Sequence, residues 1–128
     1  MLRLTGIAIG GAIGALLRYG LTDFISKKMA SGFPWGTLGV NLLGCFIIGF
    51  LWEIFSNTLV APHWRAFMLI GILGAFTTFS SYGLESINLF RGGQIKLACA
   101  NILLSNGLGI VLVFAGMAAA NVLVKLLK

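Results

Sequence analysis

Four long apolar runs, joined by short polar connections, make up almost the whole chain. They cover approximately residues 2–25, 33–55, 64–90 and 97–124. Each run reaches the roughly 20 residues that a helix needs to cross the hydrocarbon core of a bilayer. The sequence therefore predicts an all-α membrane protein with four transmembrane helices, in a single integral-membrane domain over residues 1–128.

The composition excludes a water-soluble fold. Charged residues make up 9% of the chain and hydrophobic residues 59%, whereas soluble domains carry roughly 25% charged residues. The net charge of +6 does not indicate nucleic-acid binding, because most Lys and Arg residues stand singly at the ends of the apolar runs, where they meet lipid headgroups. The predicted surroundings are a lipid bilayer, with no nucleic-acid partner.

The basic residues are balanced between the two sides of the predicted membrane domain. Four spans place both termini on one side, and the basic residues there are Arg3, Arg65, Lys125 and Lys128. Those on the other side are Lys27, Lys28, Arg91 and Lys96, with Arg18 added if its side chain snorkels that way. The positive-inside rule therefore has little bias to act on, which predicts insertion in both orientations and an antiparallel, dual-topology homodimer. The alternative is that the balance is accidental and one orientation dominates.

Small residues recur on single faces of the first two spans. One stripe on the first span is Gly6, Gly10 and Gly14, and a neighbouring face carries Gly11, Gly14 and Ala15. The second span carries Gly36, Gly44 and Gly49. Small residues let helices approach closely in lipid, so these faces are predicted to be helix–helix contacts.

Polar residues within the spans form three stripes at helical spacing. They are Thr37 and Asn41 on the second span, Thr78, Tyr82 and Glu85 on the third, and Asn101, Ser105 and Gly109 on the fourth. Polar groups at membrane depth are costly unless they face a partner or a water-filled path. Each stripe alone is explained equally well by hydrogen bonds between helices. Three stripes in so short a chain favour a lined pathway.

The segment GILGAFTTFSSYGLE, from Gly71 to Glu85, places helix-breaking and hydroxyl residues in the middle of the third run. Glycine adds backbone freedom, and Thr and Ser compete for backbone hydrogen bonds. A break in the helix is therefore predicted at Gly74–Thr77. Non-helical backbone survives in a membrane only when it is buried in protein or bound to something. Freed carbonyls from two such breaks, meeting at a dimer axis, would suit a small hard cation such as Na⁺.

Phe79 and Tyr82 lie three residues apart, directly after this predicted break. An aromatic ring has a positive edge, so an anion can rest against it without a fixed cation. A buried Lys would instead hold a small anion too tightly for it to leave. The alternative interpretation is a pair of core aromatics.

The motifs GxxGAxxRY (Gly11 to Tyr19), PWGTLGVNLLGCFIIGF (Pro34 to Phe50) and GILGAFTTFSSYGLE occur in this order along the chain. Together they resemble the Fluc (CrcB) family of fluoride channels. The resemblance implies antiparallel dual-topology dimers of four-helix subunits, each with its third helix broken mid-membrane, and two fluoride pores per dimer. It also implies passive export of toxic fluoride across the plasma (inner) membrane of a microbe. A central structural Na⁺ would be held by backbone carbonyls that correspond to Gly74 and Thr77.

The same resemblance assigns residues to the fluoride pathway. The pore aromatics correspond to Phe79 and Tyr82, the pore asparagine to Asn41 and the vestibule arginine to Arg18. The polar track corresponds to Thr37, Ser81, Glu85 and Ser105. Three positions depart from the family pattern: Tyr82 replaces a second phenylalanine, Asn101 a tyrosine and Gly109 a serine. Glu85 is unexpected in an anion path, and we expect it to donate or relay a hydrogen bond.

Competing functions fit the residues less well. A small proton-coupled multidrug exporter has the same length and span number, but it depends on a glutamate in the first span. The internal charges of that span here are Arg18 and Asp23, near its end. An enzyme is not predicted, because no pattern of His, Cys and carboxylates indicates a metal site or a nucleophile. A non-conducting scaffold subunit is the remaining alternative.

Overall fold

The computed structural model describes residues 1–29 and 31–127. Lys128, one of the basic residues counted on the terminal side, lies outside them. Within the described residues, the regular structure is entirely helical. Four helices are long and apolar enough to cross a membrane: Leu2–Lys28, Trp35–Ser56, Pro62–Arg91 and Ile95–Leu126. The prediction of an all-helical protein with four spans is confirmed, and these helices are called the first to fourth spans below.

The third and fourth spans are composite. The first and second spans are the single helices α1 (Leu2–Lys28) and α2 (Trp35–Ser56). The third contains α3 (Pro62–Arg65), a π-helical segment (Ala66–Leu73), α4 (Gly74–Phe76) and α5 (Phe79–Arg91). The fourth contains α6 (Ile95–Leu103), a π-helical segment (Leu104–Leu108) and α7 (Gly109–Leu126).

The backbone between α4 and α5 is extended. Thr77 has φ −84° and ψ 155°, and Thr78 has φ −144° and ψ 118°. Helix α5 restarts at Phe79 with Thr78 as its N-cap, whose hydroxyl oxygen accepts a hydrogen bond from the Ser81 backbone N–H. Threonine is a favoured residue at this position because its side chain replaces a missing helical acceptor. The sequence FTTFSS therefore ends one helix and begins the next.

Helix starts and ends follow local sequence signals. Pro62 opens α3 at its first turn, where the missing proline N–H is not needed. Gly92 and Gly93 follow α5, and Gly93 has φ 74°. That left-handed conformation is open to glycine without steric cost, and it turns the chain into α6.

Glycines bring the first span against the third. A Cβ added at Gly10 would lie 2.6 Å from the Phe67 carbonyl oxygen, and one at Gly14 would collide with the Ile72 carbonyl. A Cβ added at Gly6 would lie 3.7 Å from the Phe67 Cβ, which is ordinary van der Waals contact. The predicted stripe of Gly6, Gly10 and Gly14 is therefore a helix contact. Gly11 meets nothing within 4 Å, so the neighbouring face does not pack through that residue.

The second span packs against the fourth by the same means. A Cβ at Gly49 would collide with the Val113 carbonyl, and one at Gly116 with the Phe46 carbonyl.

The hydrophobic core of the chain is small and is centred on Val40, Leu73 and Phe76. Large apolar side chains such as Leu2, Leu16 and Phe114 are exposed instead. An apolar exterior around a thin core is the arrangement expected of a chain surrounded by lipid.

Candidate functional site

Asn41 of α2 binds the extended backbone between α4 and α5. Its Nδ2 donates to the Thr78 carbonyl oxygen at 2.9 Å, and its Oδ1 accepts from the Thr78 N–H at 2.8 Å. An amide side chain carries two donors and an acceptor, so Asn41 can satisfy both polar groups of one residue at once. Asn41 thereby fixes the non-helical backbone, and the second hydrogen of its NH₂ group remains as a donor for another partner.

The same contact changes the surroundings of the Gly74 carbonyl. In a continuous helix, this oxygen would accept from the Thr78 N–H, but that N–H donates to Asn41. The Thr77 N–H and hydroxyl both donate to the Leu73 carbonyl, each at 3.1 Å. The Gly74 carbonyl oxygen thus loses its usual helical donor. Carbonyl oxygens are ligands suited to hard cations.

A cavity of about 330 Å³ lies beside this backbone. Six of the residues predicted for the pathway and the cation site line it: Asn41, Gly74, Thr77, Phe79, Tyr82 and Ser105. Among the other lining residues, two carry a hydroxyl or amide side chain that was not assigned to the pathway, Thr78 and Asn106. The fold therefore gathers residues from the second, third and fourth spans around one open space, called the first cavity below.

The two aromatic rings of the site lie next to each other. The centroids of Phe79 and Tyr82 are 5.3 Å apart, and the ring planes are inclined at 54°. Phe79 is 80% exposed in the single chain. A core role for Phe79 is therefore excluded within one chain, and its ring is open to a ligand or to a second chain.

The predicted polar track is divided between two regions. Thr78 Oγ1 donates to Ser81 Oγ at 3.1 Å, next to the first cavity. Farther along α5, Glu85 Oε1 accepts a hydrogen bond from Thr37 Oγ1 of α2 at 2.6 Å. Glu85 lines a second cavity, of about 370 Å³, with Asn88 among its neighbours. Glu85 Oε2 is buried and has no hydrogen-bond partner among the described residues.

Arg18 is not part of this cluster. It is half-buried on α1 and lines neither the first cavity nor the second. The structure therefore brings together the predicted residues of the second, third and fourth spans, and leaves the predicted residue of the first span apart.

Asn101 ties α6 to α5. It is 1% exposed, and its Nδ2 donates to Ser86 Oγ at 3.0 Å. Ser86 Oγ in turn donates to the Tyr82 carbonyl at 2.8 Å, and Ser105 Oγ donates to Asn101 Oδ1 at 3.5 Å. A buried, hydrogen-bonded amide of this kind holds helices together. The interhelical explanation of the fourth-span stripe therefore applies to Asn101, whereas Ser105 reaches the first cavity.

Asn106 was not expected at the site. Its signal in the sequence is a polar side chain directly after Ser105 in a mostly apolar run, because polar residues at membrane depth are rare and often functional. It falls outside the regular stripe because the π-helical segment Leu104–Leu108 changes the hydrogen-bond spacing from i+4 to i+5. Residues chosen at intervals of four therefore do not include it.

Comparison with known proteins gives consistent matches over nearly the whole chain. A family model described as CrcB-like protein, Camphor Resistance (CrcB), matches residues 5–117. A protein of Parabacteroides distasonis is 40% identical over 128 residues, covering all of both chains. One of Salinibacter ruber is 46% identical over 120 residues, covering 94% of this chain and 90% of the relative. One of Magnetococcus marinus is 41% identical over 123 residues, covering 95% and 100%. All three carry the name fluoride-specific ion channel FluC.

Proposed function

The chain belongs to the CrcB family, and from that premise we propose that it is a fluoride-specific passive ion channel of a microbial plasma membrane. The observation that carries the proposal is the identity of 40% over the full length of a relative named as such a channel. All four spans fall within that match. A channel of this kind lowers cytoplasmic fluoride by letting it run down its gradient, without the chemistry of an enzyme.

The pathway proposed for fluoride starts in the first cavity. Fluoride is small and strongly hydrated, so a selective path must replace water with several close donors. The second N–H of Asn41 and the ring edge of the exposed Phe79 are donors of this kind. Ser105, whose hydroxyl makes a long 3.5 Å contact with Asn101, is proposed to turn its O–H to the ion. They present partial positive charge without a buried cation that would trap the ion.

From the first cavity the pathway continues along α5. Ser81 lies between Phe79 and Tyr82 in the sequence and accepts a hydrogen bond from Thr78, while Thr37 donates to Glu85 at the second cavity. Glu85 Oε2, buried and without a partner among the described residues, is the atom proposed to donate or relay a hydrogen bond when the carboxyl group carries its proton. Arg18 acts apart from the narrow path, by raising the local anion concentration near its end of the first span.

The central Na⁺ is proposed to bind the carbonyl oxygens of Gly74 and Thr77. The donor set fits, because the Thr78 N–H that would normally occupy the Gly74 carbonyl donates to Asn41. Backbone carbonyls are neutral, hard ligands, which suit a singly charged cation. Within the described residues, no three His, Cys, Asp or Glu side chains come together. The ion would supply positive charge at the junction of the two extended segments.

A second copy of the chain completes this arrangement in the proposal. Two antiparallel copies, related by a two-fold axis in the membrane plane, would contribute two carbonyls each to the Na⁺ site and would form two pores. Support comes from the open first cavity with Phe79 exposed at its margin, and from the even division of basic residues between the two sides. A C-terminal reporter that signals on only one side of the membrane would exclude dual topology.

The direct test is anion efflux from liposomes that hold the purified protein, loaded with fluoride or with chloride in Na⁺ buffer. Fast fluoride efflux with negligible chloride leak is expected. Absence of fluoride efflux from correctly assembled protein would overturn the proposal. Proton-driven uptake of cationic drugs in that case would restore the multidrug-exporter alternative.

A further inference from the structure

A hydrogen bond between Asn106 and Tyr82 joins the fourth span to the third. Asn106 Nδ2 lies 2.9 Å from Tyr82 Oη and 2.8 Å from the Ile102 carbonyl oxygen. Both Asn106 and Tyr82 line the first cavity. The hydrogen bond therefore crosses between the fourth span and the third beside the proposed fluoride path.

The Ile102 carbonyl fixes the direction of this hydrogen bond. A carbonyl oxygen only accepts, so the end of the Asn106 amide that faces it must be the NH₂ group. The same nitrogen faces Tyr82 Oη. One N–H therefore serves Ile102 and the other serves Tyr82, and Tyr82 Oη is the acceptor of the pair.

The direction of this hydrogen bond determines where the Tyr82 hydroxyl can donate its own hydrogen. A phenol has one O–H donor besides its acceptor lone pairs. Because Asn106 presents N–H hydrogens to Oη, the phenolic hydrogen must turn away from them. A hydrogen bond from O–H to an anion is charge-assisted and stronger than one between neutral groups. Phenylalanine at this position would present only a ring edge.

We propose that Asn106 is a positioning residue for fluoride passage, which holds the Tyr82 ring and turns its O–H toward the first cavity as an additional donor to the ion. The inference rests on the proposed function, since it needs a small anion in that cavity. Asn106 is exposed in the single chain, and a polar amide on a face in contact with lipid would be costly. Its place beside the pathway accounts for its presence in an apolar span.

The local helix geometry supports this role. Asn106 lies within the π-helical segment Leu104–Leu108, and π-helical turns often occur at functional sites. Neighbouring Ser105 also lines the first cavity. The fourth span thus presents a hydroxyl and an amide, side by side, to the same space.

A double-mutant cycle in the liposome efflux assay tests the coupling of the two residues. Asn106→Leu is expected to slow fluoride efflux about five- to tenfold, which is the size of one neutral hydrogen bond. In the Tyr82→Phe background, the same substitution is expected to change the rate by less than about twofold, because the acceptor is already gone. Asn121→Leu, an exposed asparagine of α7 outside both cavities, is the matched control. Equal slowing by Asn106→Leu in both backgrounds would overturn the proposal.

A spectroscopic measurement tests the hydrogen bond without any flux. The chain has two tyrosines, so Tyr19→Phe leaves Tyr82 as the source of the tyrosine Raman doublet, whose intensity ratio reports whether the phenol oxygen accepts a hydrogen bond. Asn106→Leu in this background is expected to reduce the acceptor signature, and Asn106→Ala serves if the leucine variant does not assemble. An unchanged doublet in an assembled variant would overturn the proposal.

The two measurements separate this inference from the proposed function. If the wild-type protein moves no fluoride, the channel proposal fails whatever the Raman doublet shows. If the wild-type protein moves fluoride and the cycle gives no coupling, the channel stands and the positioning role of Asn106 fails.

Discussion

Asn41 holds both backbone polar groups of Thr78, with distances of 2.9 Å to the carbonyl oxygen and 2.8 Å to the nitrogen. The two residues lie 37 positions apart in the sequence. Through this contact the second span holds the extended backbone of the third. It also diverts the Thr78 N–H from Gly74, so one side chain links the proposed anion path to the proposed cation site.

Asn41→Asp is therefore expected to slow fluoride efflux by about tenfold or more, because a carboxylate cannot donate to the Thr78 carbonyl and repels an anion. The measurement is the liposome efflux rate of assembled protein. Asn121→Asp, which places the same charge on an exposed position of α7, should leave the rate within about twofold, since a distant charge is screened by salt. Normal efflux through Asn41→Asp would remove Asn41 from the pathway.

Phe79→Leu is expected to reduce fluoride efflux with little loss of stability. The ring is 80% exposed in one chain, so its removal costs little packing within that chain, whereas the positive ring edge is lost to the ion. Efflux and thermal unfolding in detergent are measured together. Phe114→Leu, at a residue 68% exposed on α7, is the control and should change neither. Equal efflux from both variants would count against an aromatic contact with fluoride.

Glu85→Gln is expected to preserve efflux within about threefold, since glutamine still accepts from Thr37 and supplies a neutral donor in place of a protonated carboxyl. Glu85→Leu has neither group and should lose most of the flux. Glu53→Gln, near the end of α2, controls for the removal of a carboxylate elsewhere. Loss of flux in Glu85→Gln alone would mean that the negative charge itself is required.

Gly49→Ala is expected to destabilise the protein, by about 1–3 kcal/mol for an overpacked contact. The added Cβ would collide with the Val113 carbonyl, which as backbone cannot turn away. Gly11→Ala is the control, because nothing lies within 4 Å of its Cβ position and alanine is the better helix former. Thermal unfolding should separate the two variants. Equal unfolding temperatures would contradict close packing of the second and fourth spans.

The four spans were predictable because each apolar run is long enough to cross a bilayer, and length alone carries that information. Asn41, Phe79, Tyr82 and Ser105, which the resemblance assigned to one pathway, line one cavity, and the pathway itself stays a prediction. Helical spacing failed elsewhere for a physical reason. Thr78 has extended backbone and caps α5, so the i, i+4, i+7 rule does not run through it.

Three further placements depend on tertiary structure that the sequence does not encode locally. Tyr82 lines the first cavity and Glu85 the second, although a regular helix would set them on nearly one face. Asn106 reaches the first cavity from a π-helical segment that no residue pattern marked. Asn101 belongs to the same apparent stripe as Ser105, but its side-chain amide donates to Ser86 instead of lining the cavity. Which polar residue faces a path and which faces a neighbour is decided by packing.

Replacement of Na⁺ by a large organic cation at constant ionic strength is expected to lower the unfolding temperature of the assembled protein. A ligand that binds only the assembled state stabilises it by mass action, and the carbonyl oxygens of Gly74 and Thr77 are its proposed ligands. The stabilisation should rise with Na⁺ concentration and saturate. Asn41→Leu should weaken this dependence, because the Thr78 N–H is then free to return to the Gly74 carbonyl. An unfolding temperature independent of Na⁺ would exclude a bound cation at this junction.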